Sequence, residues 1–400
     1  MQVFDFKEEI PDNASGKNNK MRSADVVVVG GGVMGCSIAY HLVRQNVRVI
    51  LLEREPRLAT GATGRCSGGV RHQFSNPANV QLSIASIRKL KNFADELDCE
   101  IDLHQEGYLF LITKAESLEH FRESAAMQNA LGVPTEILPV EKIAELVEHV
   151  NLEDVLAGSY CREDGVADPN GVTLGYARKA RQLGAEIALE NEVIGIRREG
   201  SQIAAVCTRS DEIATSVVVN AAGPWSAALG EMAGVEVPVR PYRRHVFITH
   251  GFAEVPRNHL FVIDFDTTFY FHREGEGVLM GMSDPGEPSS FRDAVDWEFL
   301  DQVTEVGVRR FPPLANASVR RAWAGLYEVT PDANPILGEA RQLPGFFLAT
   351  GFSGHGFMHG PVVGELIADL ILRRRPRIDI SGFSLDRFAE SRTRSEANIV

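Results

Sequence analysis

The chain lacks the features that define several large protein classes. Its five cysteines, Cys36, Cys66, Cys99, Cys161 and Cys207, are odd in number in 400 residues and form no Cys-x-x-Cys pair. That excludes a disulfide frame or a four-cysteine zinc site as the basis of the fold and fits reduced thiols. No His-Glu-x-x-His or comparable ligand spacing occurs, so no metal is expected. No apolar run approaches the roughly 18 residues that cross a bilayer. The formal charge of -13 argues against nucleic acid, because an acidic surface repels a polyanion unless its basic residues cluster. One cluster exists, Arg373-Arg374-Arg375-Pro376-Arg377, and its place after a predicted helix suggests that it caps the negative helix end. Residues 1–23 are polar with no apolar core, so they read as a flexible tail and not as a secretory signal. The expected location is cytoplasmic, with membrane association only through a partner.

What the chain does have is a complete dinucleotide-binding unit. Residues 25–29, Asp-Val-Val-Val-Val, read as a buried parallel strand. Gly30, Gly32 and Gly35 follow with G-x-G-x-x-G spacing: the first makes the tight turn, the second admits a pyrophosphate, and the third lets helix pack on strand. A helix starting near Val33 aims its free N–H groups and positive dipole end at that pyrophosphate. A second strand at 47–52 ends at Glu53, about twenty residues beyond the glycines, where a carboxylate accepts from ribose hydroxyls.

The same style recurs twice. Residues 215–220 run into Ala221-Ala222-Gly223-Pro224-Trp225, and residues 346–349 run into Thr350-Gly351-Phe352-Ser353-Gly354-His355-Gly356 before a helix at about 358–372. Asp168-Pro169 marks a further helix start, an N-cap followed by proline. An amphipathic helix is expected over 76–97, with Val80, Ile84, Ile87, Leu90 and Phe93 on one stripe. A strand is expected at 107–113 and a helix at 115–131. From 237 to 283 the pattern alternates, predicting an antiparallel sheet with one wet face. The predicted fold is α/β, α+β overall. A Rossmann-like cofactor domain, assembled from 24–76, 165–235 and 335–400, is interleaved with an antiparallel-sheet substrate domain from 77–164 and 236–334. A second helix N-terminus late in the chain points to a flavin over a nicotinamide, because a reduced flavin ring needs a positive dipole beside its pyrimidine edge.

These motifs, with Ala59-Thr60-Gly61-Ala62-Thr63, Gly69-Val70-Arg71-His72-Gln73-Phe74 and Trp323-Ala324-Gly325-Leu326-Tyr327 leading to Thr330-Pro331-Asp332, resemble the D-amino-acid-oxidase superfamily. Within it the chain resembles the sarcosine oxidase branch, and most of all the β subunits of dye-linked L-proline dehydrogenases, over residues 24–390. The resemblance implies FAD and oxidation of an amine carbon beside a carboxylate. The motifs and the resemblance together assign cofactor contacts to Gly30, Gly32, Val33, Met34, Gly35, Glu53 and Arg54. They add Thr63, Gly64, Arg65, Gly69, Val70, Val193, Ala222, Gly223, Trp225 and Gly325. The late turn completes the set with Phe352, Ser353, Gly354, His355, Gly356, Phe357 and Met358. For chemistry the candidates are Arg71 as a bidentate carboxylate anchor, with His72, Tyr327 and Met358 beside it. Of the histidines His72, His245, His272, His355 and His359, only His355 is expected against the cofactor; the rest read as satisfied hydrogen-bonding groups.

Three departures from the family pattern shape the expectation. Met358 stands where many sarcosine oxidases carry a second carboxylate-binding lysine, favouring a cyclic imino acid. Gly325 replaces the cysteine, and Arg65 or Gly64 the histidine, through which relatives tether FAD, which implies non-covalent FAD. Leu279 replaces the lysine that helps oxidases reduce oxygen, which implies a dehydrogenase passing electrons to another carrier. The expected activity is FAD-dependent oxidation of a secondary or cyclic amino acid such as L-proline or sarcosine. The alternatives are a peroxide-forming oxidase, the flavin subunit of a larger electron-transfer complex with a second subunit or carrier as partner, and a hydroxy-acid oxidoreductase.

Overall fold

The computed structural model describes residues 22–399; the expected tail at 1–21 lies outside them. Arg22–Ser23, expected in that tail, instead pairs in parallel with Glu212–Ala214, and the Arg22 guanidinium bridges Asp211 and Glu186.

A six-stranded sheet runs in the order Ile336–Glu339, Phe346–Thr350, Val218–Asn220, Val26–Val29, Val49–Leu52 and Glu186–Ala188. All its pairings are parallel except the first. The valine run is buried throughout because both faces are covered. Val26 and Val28 pack under the helices, whereas Val27 and Val29 meet Ile196, Ile203 and Val206 of a four-stranded sheet. The helix Val33–Val43 is buried at every position, wedged between Pro169–Gln182 and Gly356–Ile371. The last contact depends on small residues: a Cβ on Gly364 would stand 2.1 Å from Ser37 Oγ, and one on Gly360 2.7 Å from Val33 Cγ2.

An eight-stranded sheet carries Val319–Val329, Arg240–Thr249, Gly277–Met282, Phe269–Glu274, Phe261–Asp264, Tyr108–Ile112, Ala157–Cys161 and Thr135–Leu138 in that order. The expected wet face holds only in part: the first half of Arg240–Thr249 alternates between more and less exposed residues, whereas Gly277–Met282, like the neighbouring Tyr108–Ile112, is buried at every residue. Helix Trp297–Arg310 covers Val278 and Met280 on one side, while Phe121 of helix Ala115–Ala130 covers Phe110 on the other. The single helix expected over 76–97 is two, Pro77–Lys91 and Phe93–Leu97. Asn92 breaks it, turning its amide Nδ2 back to the Arg88 carbonyl at 3.0 Å, the competition with the helical ladder that asparagine offers. The basic cluster also differs from expectation. Arg373 forks onto Glu339 and Arg377 pairs with Glu365, because carboxylates are better partners for a guanidinium than helix-end carbonyls.

Candidate active site

The C-terminal edge of the six-stranded sheet opens into a cavity of about 510 Å3. Gly30 (φ +115°) makes the turn out of the central strand, and a Cβ there would lie 2.3 Å from the Ala221 carbonyl. The following helix begins at Val33 with no side-chain cap and no acidic residue in its first turn, the state of a helix end whose anion comes from outside. The amide of Val33 donates to Thr63 Oγ1 at 3.2 Å, fixing the 59–63 turn across the opening. The Glu53 carboxylate is oriented by two backbone amides, Gly31 at 2.7 Å and Glu55 at 2.9 Å. At the mouth, the Arg54 guanidinium lies 3.7 Å over the Trp225 ring.

Most expected cofactor contacts converge here. Gly30, Gly32, Val33, Met34, Glu53, Arg54, Thr63, Arg65, Val193, Ala222, Gly223, Trp225, Tyr327, Gly354, Gly356 and Phe357 all line the cavity. An acidic ribose acceptor, an uncapped helix end, small-residue turns and a second helix N-terminus at Gly356 match the donor set that FAD requires. Both tether positions also fall together. Arg65 is held by Asp293 at 2.6 Å and the Ala324 carbonyl at 2.9 Å, and a Cβ on Gly325 would stand 3.0 Å from Arg65 Cβ.

A smaller cavity of about 40 Å3 adjoins the first, sharing Cys66, Tyr327, Gly354 and Phe357 with it. Gly69, Arg71, Tyr108, Phe261, Tyr270, Ser353, His355, Met358 and Ile399 complete most of its wall. Four arginines are buried among the described residues. Arg243, Arg310 and Arg387 pair with Glu287, Asp264 and Asp332 at 2.7, 2.9 and 2.8 Å. Arg71 is different: among the described residues its Nη1 and Nη2 donate only to the Gln73 and Asn398 carbonyls, and its guanidinium lies 4.0 Å over Phe74. Burial pulls its pKa down, against the smaller upward pull of Tyr108, Glu396 and Asp164, and among the described residues no carboxylate bonds to it. His355 is likewise unsatisfied, since neither ring nitrogen has a hydrogen-bond partner among the described residues. Burial, then the neighbouring His359 and Arg71, drive its pKa well below normal, so the ring is neutral.

Six expected residues stand back from both cavities: Gly35, Gly64, Val70, His72, Gly325 and Phe352. Gly35 and Gly64 act through packing, since a Cβ on either would meet a carbonyl oxygen at 1.9 Å. His72 is turned away, its Nδ1 2.6 Å from the buried Asp164 carboxylate. The other histidines are partnered: His245 accepts from the Asp296 amide, His272 faces the Arg273 and Ser67 carbonyls, and His359 meets Ser83. Leu279 lines neither cavity. It shares the sheet face of Tyr270, through the pairs Tyr270 with Gly281 and His272 with Leu279, and packs on Val246 and Ile248.

Several lining residues had no place in the sequence reading. Glu328 stands one position beyond Tyr327, a carboxyl inside a strand of the eight-stranded sheet, and that position was the available signal. It accepts from Thr350 Oγ1 at 3.0 Å, and burial pushes it up to about 7. Cys66 touches both cavities, its thiol pushed up to about 12 by burial. Tyr108 opens a strand that reads as ordinary core. Ile399 belongs to a short polar segment with no pattern at all.

The family of FAD dependent oxidoreductases designated DAO matches residues 25–370. Sarcosine dehydrogenase, mitochondrial, from Homo sapiens is 32% identical over 390 residues, covering 93% of this chain but only 42% of that protein. FAD-dependent oxidoreductase domain-containing protein 1 from Xenopus laevis is 31% identical, covering 94% of this chain and 85% of that protein. Among solved structures, L-proline dehydrogenase from P. horikoshii superposes with a TM-score of 0.87 at 33% identity, covering 93% of this chain and 99% of that one. Glycine oxidase from Geobacillus kaustophilus gives 0.83 at 25%, covering 92% and 99%.

Proposed function

The chain belongs to the DAO family of FAD-dependent oxidoreductases, and from that premise we propose that it oxidises the C–N bond of a secondary or cyclic amino acid, L-proline or sarcosine in type. The observation that carries this reading is Arg71. A guanidinium buried to 4% exposure with no carboxylate partner among the described residues is costly unless an anion arrives. The small cavity leads an amino acid's carboxylate to it. With two N–H groups given to carbonyls, three of its five remain for a bidentate carboxylate.

FAD, when bound, supplies the acceptor for the hydride that leaves the carbon bearing the amine. The chain's own part is to orient the substrate and manage one proton. Arg71 holds the carboxylate, and Tyr108, Phe261, Tyr270 and Tyr327 enclose the carbon skeleton and exclude water. The neutral His355 offers a ring nitrogen lone pair to the amine, which must lose its proton before hydride can leave. Met358 adds no second positive charge, which favours a compact apolar ring over a dicarboxylate. Neither Arg65 nor Gly325 supplies a nucleophile for a flavin tether, and the raised thiol of Cys66 is inert, so FAD is held non-covalently. The L-proline dehydrogenase likeness and the absence of lysine at Leu279 support a dehydrogenase over an oxidase. The two large sheets support reading 24–76, 165–235 and 335–400 as the cofactor part and 77–164 and 236–334 as the substrate part. The test is anaerobic bleaching of bound flavin by a panel of amino, imino and hydroxy acids. Reduction by hydroxy acids alone overturns the reading.

A further inference from the structure

The segment 394–399 crosses from the edge of the cofactor sheet to the small cavity and is fastened at Arg394, Glu396, Ala397 and Asn398. Glu396 is its clasp: although it lies far along the chain from helix Pro77–Lys91, its Oε1 accepts from the Ser75 amide at 2.8 Å and the Ser75 hydroxyl at 2.7 Å. Its Oε2 accepts from Asn79 Nδ2 at 2.9 Å. The backbone of the segment is tied too, with the Glu396 amide donating to the Asp332 carbonyl at 3.0 Å. Asn398 is fully buried. Its carbonyl accepts from Arg71 Nη2 at 2.5 Å and its side-chain oxygen lies 2.7 Å from His120 Nε2. Ile399 then enters the cavity wall beside Arg71 and Tyr108.

We propose that this strap is a wall of the substrate site, and that Ile399, positioned by Asn398 and Glu396, sets the largest amino acid the cavity admits. The inference rests on the reading of the small cavity as the amino-acid site. Its physical content is steric. In so small a cavity a branched four-carbon side chain is a large fraction of the wall, and one methylene in an apolar pocket changes selectivity by roughly tenfold or more. Asn398 adds orientation, because its carbonyl consumes one guanidinium N–H and thereby fixes which face of Arg71 is left for the substrate carboxylate.

The experiment compares kcat/KM of the FAD-loaded holoenzyme for L-pipecolate and L-proline, which differ by one ring methylene. Ile399→Ala should raise the pipecolate-to-proline ratio about tenfold or more. Glu396→Gln, which weakens the clasp at a distance from the cavity, should move it in the same direction. FAD content and Tm are measured alongside to show that each variant is folded. Independently of turnover, hydrogen exchange of the peptide covering 394–399 should slow when the holoenzyme is given pyrrole-2-carboxylate, an inert carboxylate of similar shape. A folded Ile399→Ala enzyme with an unchanged ratio, together with unchanged exchange, overturns the strap's role while leaving the amino-acid reading intact. An unmodified holoenzyme whose flavin no amino acid reduces overturns both.

Discussion

Replacing Arg71 by alanine removes the one arginine or lysine that lines the small cavity among the described residues, the group on which the proposed carboxylate site rests. In the structure three of its N–H groups are uncommitted, enough for two parallel charge-assisted bonds to a carboxylate. At about 1.5–3 kcal/mol for each hydrogen bond to a charged group, the loss is about 3–6 kcal/mol. At about 1.4 kcal/mol per factor of ten this is a fall in kcat/KM of roughly a hundredfold to ten-thousandfold. The fall should lie mainly in substrate capture, with FAD content unchanged, since Arg71 lines the small cavity and not the large one. Arg71→Lys should recover only part, because an ammonium cannot reproduce the fork. The alanine change also strands the Gln73 and Asn398 carbonyls, so Tm must be measured to separate lost stability from lost binding. The assay is stopped-flow reduction of enzyme-bound flavin at varied L-proline concentration without oxygen. A folded, FAD-replete Arg71→Ala enzyme within about fivefold of the unmodified kcat/KM, under 1 kcal/mol, refutes the assignment.

Three further outcomes are expected. Acid or heat precipitation should release FAD intact into the supernatant, read by its absorbance, and flavin that stays with the pellet would show a covalent tether. For Glu328, burial raises the folded carboxyl to about 7 from an ordinary value of 4.5, so between these values the folded apoprotein holds a proton that the unfolded chain has released. Its stability therefore falls as pH rises through that window, by up to about 3 kcal/mol, and urea unfolding of apo Glu328→Gln across the same window should lose this slope. Leu279 lines neither cavity, so Leu279→Lys should raise the rate of flavin reoxidation by oxygen only where the longer side chain carries its ammonium to the flavin, since a fixed positive charge stabilises the superoxide formed first. Fast reoxidation of the unmodified enzyme, comparable with its turnover, would make it an oxidase.

The cofactor half was legible in the sequence because its contacts are local and its backbone demands are severe. Gly30, Gly32 and Gly35 announce their turn, Asp168-Pro169 announces a helix, and the buried strands are written as unbroken β-branched runs. The lining of the small cavity was legible only where a motif pointed to it, as at Arg71 and Tyr327. Hydropathy misjudged the middle of the eight-stranded sheet, since covering helices on both sides bury Gly277–Met282 and Tyr108–Ile112 at every residue. Proximity in sequence also misled. His72 follows Arg71, yet in an extended segment neighbouring side chains point to opposite sides, so Arg71 faces the cavity while His72 turns to Asp164.

The strap shows most clearly what a sequence hides. Arg71 and Asn398 are 327 positions apart, and nothing in a stretch reading Ser-Glu-Ala-Asn-Ile marks it as the wall of a site. Its residues are ordinary for a solvated end, and their meaning comes only from what they meet. Glu396 finds a serine hydroxyl and three amide groups, and Asn398 finds a guanidinium with no carboxylate bonded to it among the described residues. A segment without its own apolar core can stay docked only if its partners are pre-arranged, because the entropy of ordering each residue, about 1–2 kcal/mol, must be offset by bonds it does not make to itself. Those partners are the N-terminal end of helix Pro77–Lys91 and Arg71, the proposed carboxylate anchor, so the elements that fasten the strap are the same ones that shape the cavity. On the proposed reading, a change in the strap is felt as a change in substrate choice before it is felt as a change in fold.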